Sequence, residues 1–89
     1  MHKQKIFDND SDRIFKKKKL LYKVMAEKDI ESIDKLAKVI GKTKTAIYNC
    51  INYLPYREYK SPCYPTAQLI GQRLGWDELD IKQWYNGNL

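Results

Sequence analysis

Three prolines, four glycines, two cysteines and a single histidine are all that these 89 residues hold of the types that punctuate, cross-link or ligate. The lone histidine, His2, stands near the beginning of the chain, and no nucleophile lies at a spacing that would pair it with a base. Catalysis of the triad kind and a histidine-based metal centre are therefore not expected, and no cofactor is called for. Cys50 and Cys63 belong to no Cys-x-x-Cys or Cys/His cluster, so they read as free thiols in a reducing compartment. No apolar run approaches the roughly 20 residues of a membrane-spanning helix, and the opening residues lack a secretory pattern. A cytoplasmic location is the expectation. Period-two alternation of apolar and polar residues is missing as well, which argues against a sheet. All three prolines (Pro55, Pro62, Pro65) fall within one short stretch, leaving the rest of the chain free to form helices.

Charge, by contrast, is plentiful and uneven. Seventeen Lys and Arg face eleven Asp and Glu, a formal net charge of +6. Residues 1–30 carry nine basic and five acidic side chains, residues 31–60 six and three, and residues 61–89 two and three. The excess lies in the first two thirds, where it points to a polyanionic partner.

The first twelve residues, MHKQKIFDNDSD, mix both signs of charge with few apolar anchors and read as a flexible arm, leaving 13–89 as one domain. Ser11 or Asp12 can cap a first helix, along which Ile14, Leu21 and Met25, with Leu20 and Val24, form one apolar stripe. The run Lys16–Lys19 reads as its solvated face. Asp29 and Ser32 are cap-type residues ahead of IDKLAKVI, which Gly41 ends; Thr43 can cap KTAIYNCINYL. Residues 53–65, with Tyr53, Tyr56, Tyr59 and Tyr64, read as a loop whose tyrosines pack. Thr66 can then cap AQLIGQRL, closed by Gly75, and Asp77 can cap ELDIKQWY. The fold class is thus all-α, with five helices.

A tight helix-turn-helix needs a small residue where the first helix approaches the second, apolar neighbours around it, a glycine at the turn and an apolar residue facing back. Ala37, Leu36 with Ile40, Gly41 and Ile47 supply these in order. On those residues the segment IDKLAKVIGKTKTAIYNCIN resembles the helix-turn-helix of the phage repressor and Cro family, also called the xenobiotic-response-element type. PTAQLIGQRLGWDEL is similar to the fourth and fifth helices of that family.

The resemblance implies a compact lambda-repressor-like domain that binds duplex DNA, with Lys44, Thr45, Tyr48 and Asn49 at the base-reading positions. It also implies phosphate contacts from Ser32, Lys42, Thr43, Asn52, Arg57 and Lys60. The chemistry suits these roles: lysine donates to guanine, asparagine pairs with adenine, and threonine meets the thymine methyl. Ile33 departs from the pattern, standing where many members carry a phosphate-bonding glutamine. The implied partner is a pseudo-palindromic operator bound by a homodimer, since one domain reads only a half-site. Trp76, Trp84 and Tyr85 are the candidate dimer surface, with core packing as the competing role. A protein-interaction module that keeps the fold, such as an antirepressor, antitoxin or adaptor, is the second functional expectation. Ile33 and the tyrosine-rich loop keep it open.

Overall fold

In a computed structural model, which describes residues 2–54 and 63–88 with side chains from Ser11 onward, the chain forms five helices and no strand among the described residues. They are α1 (His2–Glu27), α2 (Ile33–Ile40), α3 (Lys44–Asn52), α4 (Tyr64–Leu74) and α5 (Glu78–Tyr85). The all-helical class read from the sequence holds.

Local chemistry sets most boundaries. Ser32 accepts a bond from the Lys35 amide at 3.2 Å, Thr43 one from Ala46 at 3.1 Å, and Asp77 one from Asp80 at 2.8 Å. Each cap satisfies an amide that the first helical turn leaves without a partner. Gly41 closes α2 at φ 73° and Gly75 closes α4 at φ 84°, left-handed values that a side chain disfavours.

Three boundaries differ from the sequence reading. The arm assigned to residues 1–12 is helical from His2, so α1 does not begin at Ser11 or Asp12. No proline or glycine interrupts the chain between His2 and Glu27, and a cap-type residue inside a helix does not by itself stop it. Asp29 does not cap α2; at φ 61° it closes α1, letting the Ile30 amide reach back to the Met25 carbonyl at 2.9 Å. Thr66 is buried inside α4, which starts at Tyr64 with Pro65 in its first turn, where the missing amide costs nothing.

One core joins the helices. Leu21 and Met25 of α1, Ile33, Leu36 and Ala37 of α2, Ile47, Cys50 and Ile51 of α3, Ala67, Ile70 and Leu74 of α4, and Ile81, Trp84 and Tyr85 of α5 are buried together. Tyr53 and Tyr64 both lie against the Tyr85 ring, at centroid distances of 5.8 and 5.1 Å. These two tyrosines pack, as expected of them; Tyr56 and Tyr59 lie outside the described residues. Among the described residues, no helix is long and apolar enough to cross a membrane.

Candidate nucleic-acid interface

The turn between α2 and α3 holds only Gly41, Lys42 and Thr43, so the two helices are forced into close contact. Ala37 and Ile47 fill the crevice between them and are buried, while Ile40 is half-buried at its edge. With Ile47, Cys50 and Ile51 turned inward at helical spacing and Ala46 half-buried, the remaining residues of α3 turn outward. Lys42, Thr43, Lys44, Thr45, Tyr48, Asn49 and Asn52 are all exposed, together with Ser32 at the start of α2. Arg57 and Lys60 lie outside the described residues.

The outward row carries donors with little competing acid. Lys35 and Lys38 of α2 are exposed nearby, and the Lys44 ammonium pairs with the Asp34 carboxylate of α2 at 3.3 Å. Both partners are well exposed, so the pair is worth at most about 1 kcal/mol and Lys44 can exchange it for another anion. The Ser32 and Thr43 hydroxyls accept cap bonds and keep their own protons to donate.

Ile33 is part of the core, 5% exposed, and carries no polar group to offer a phosphate. The glutamine-type phosphate contact of the resembling family therefore has no counterpart at this position. No family model matches the chain, and neither a characterised protein nor a solved structure matches it.

The carboxy-terminal dimer surface needs correction. Trp84 is 0% exposed and Tyr85 is buried beside it, so neither can face a second chain; only Trp76 is partly accessible. An aromatic pair at helical spacing serves the inside of a small domain as well as a surface, and here the α5 face folds inward. Trp76 leans against Trp84 at 5.6 Å between ring centroids.

Lys17 is the second correction and the residue that sequence reasoning missed. Within the supposedly solvated run Lys16–Lys19 it is 1% exposed, while Lys16, Lys18 and Lys19 are exposed as expected. Its ammonium donates to the Cys50 and Tyr53 carbonyls, each at 2.7 Å, and so closes the carboxyl end of α3. It lies over the rings of Trp84 and Tyr85 at 5.1 and 5.2 Å, and the Trp84 indole donates to the Lys17 carbonyl at 2.9 Å. One turn earlier, Arg13 donates to the Asn86 carbonyl at the end of α5. Burial pulls the Lys17 amine down to about 8, against smaller opposing contributions from Cys50 and Cys63 and a smaller reinforcing one from Arg13. Two backbone carbonyls, aromatic faces and the negative end of a helix suit a cation in a way no spacing in the sequence announces.

Neither cysteine joins another cysteine. The Cys50 thiol donates weakly to the Cys63 carbonyl at 3.7 Å, and burial pushes it up to about 12. So buried a thiol is a packing group rather than a nucleophile. Among the described residues no group of three or more His, Cys, Asp or Glu gathers as a metal site would require.

Proposed function

We propose that this chain is a sequence-specific duplex-DNA-binding regulator of the phage repressor and Cro kind, which sets α3 in the major groove. One observation carries the reading: Lys44, Thr45, Tyr48 and Asn49 form an exposed polar row on a short helix whose other face is locked into the core. The base readers are Lys44, Thr45, Tyr48 and Asn49; Ser32, Lys42, Thr43 and Asn52 meet phosphates at the ends of the helix pair. The formal charge of +6 favours such a partner.

Selection of bound duplexes from a random pool tests the reading. An enriched pseudo-palindrome is the expected result, with affinity falling steeply as salt rises. Replacing Lys44, Thr45 and Asn49 together by alanine should abolish preference for the enriched sequence. Retention of that preference would remove α3 from the role of reader.

The isoleucine at position 33, packed in the core, favours one competitor, a protein-interaction module of the antirepressor, antitoxin or adaptor type, because no phosphate-bonding side chain stands there at the start of α2. Failure to enrich any duplex, with no salt-dependent binding, would select that reading.

A further inference from the structure

A cleft of about 560 Å³ opens between the last turns of α1, the link from α1 to α2, and Tyr48 of α3. Small-molecule sites span roughly 300–1,000 Å³, so the cleft is large enough for one. Its apolar lining comes from Met25, Ile30 and Ile33, all buried. Tyr22 and Tyr48, 40% and 39% exposed, line it as well and share a hydroxyl hydrogen bond. Burial first, then the neighbouring Tyr48 and that bond, raise the Tyr22 phenol above its ordinary value, so the ring stays neutral.

The charge of the lining is opposite to that of the chain. Asp29 and Glu31 line the cleft, and among the described residues no basic side chain does. The amino end of α2 opens beside them, but it contributes only about half a positive charge against two full carboxylates. Ser32 already occupies one of its amides. A phosphate or carboxylate ligand is thereby disfavoured, and a cation is favoured.

We infer that this cleft binds a small organic cation, its ammonium group held by Asp29 and Glu31 and its apolar or aromatic body lying on Met25, Ile30 and Ile33. The ring faces of Tyr22 and Tyr48 add a cation-attracting wall. Tyr48 also belongs to the row assigned to base reading, so an occupied cleft competes with duplex for that side chain. This last consequence rests on the DNA-binding reading; ligand binding itself does not.

The test is an amide chemical-shift titration of the isotope-labelled full chain with phenethylamine, using phenylethanol and phenylpropionate as neutral and anionic counterparts. The amine should saturably shift the amides of Ala26, Asp29 to Ile33 and Tyr48, the alcohol should bind more weakly, and the acid should leave them unmoved. Asp29→Asn with Glu31→Gln, two exposed substitutions that leave the core intact, should weaken amine binding by about tenfold or more. Equal binding of all three compounds, shifts scattered over other surfaces, binding unchanged in the double variant, or no shift at millimolar amine would each overturn the site. In a second arm, saturating amine should lower the affinity for a selected duplex several-fold in the natural chain and not in the double variant. Undiminished duplex affinity would refute the competition. A chain that selects no duplex would refute the DNA reading alone, leaving the cleft to be decided by the titration.

Discussion

A lysine enclosed by aromatic rings and backbone carbonyls has a pH signature whose sign follows from its protonation equilibrium. Lys17 titrates near 8 in the folded chain against 10.5 when exposed, so between those values the unfolded chain holds more protons. Stability contributed through Lys17 therefore rises with pH across that window and is flat below about 8. A neutral amine still has two N–H groups for the two carbonyls, so the bonds survive the loss of charge. Relative to Lys17→Met, the natural chain should gain on the order of 3 kcal/mol between pH 7 and pH 10. Urea midpoints at the two pH values measure it, and a constant difference between the chains would contradict the placement of Lys17. Asp34 offers a second test on a single residue. Because its carboxylate competes for Lys44, Asp34→Asn should tighten binding to a selected duplex several-fold and steepen the salt dependence by about one counterion. Weaker binding in filter or anisotropy titrations would mean that Asp34 orients Lys44 instead of occupying it.

Between elements, the closest fit lies where α4 crosses α5. A β-carbon added at Gly71 would sit 2.2 Å from the Ile81 Cγ1 and 2.6 Å from its Cδ1, distances that atoms do not share. Alanine there gains about 1 kcal/mol in helix propensity, yet overpacking a buried crossing costs about 1–3 kcal/mol and shifts neighbouring atoms. Gly71→Ala should therefore lower the unfolding midpoint. In the double variant with Ile81→Ala, the combined loss should be smaller than the sum of the single losses, as expected for residues in contact. Simple additivity would show that the two helices do not meet there. The turn before α3 follows a more local rule: Thr43→Ala removes one cap bond and should cost about 1 kcal/mol, read from denaturant unfolding.

For the molecule as a whole, the aromatic centre matters more than any surface pair. Trp84 is fully buried against Trp76 and Lys17, so Trp84→Ala should cost about 3–5 kcal/mol, a large part of the 5–15 kcal/mol typical of a domain. Trp84→Phe keeps most of the volume and loses the indole bond to the Lys17 carbonyl, so its melting temperature should fall much less. Similar losses in both variants would assign the stabilisation to that bond instead of the packing.

The sequence by itself determined the features whose causes lie within a few residues. The caps at Ser32, Thr43 and Asp77, the glycine stops at Gly41 and Gly75, and the inward stripe of Ile47, Cys50 and Ile51 were legible because a helix end and a helix face are local events. The exposed row from Lys42 to Asn52 follows from that same stripe by geometry. Only the tertiary structure decided which of four consecutive lysines is interior, since Lys17 meets carbonyls 33 and 36 positions away and an indole 67 positions away. It likewise decided that Trp84 and Tyr85 face the core. It also brought Tyr22, Asp29, Glu31 and Tyr48 around one cleft. The physical reason is the same in each case: period and capping fix which face a helix can bury, but the groups that meet that face are supplied by distant parts of the chain.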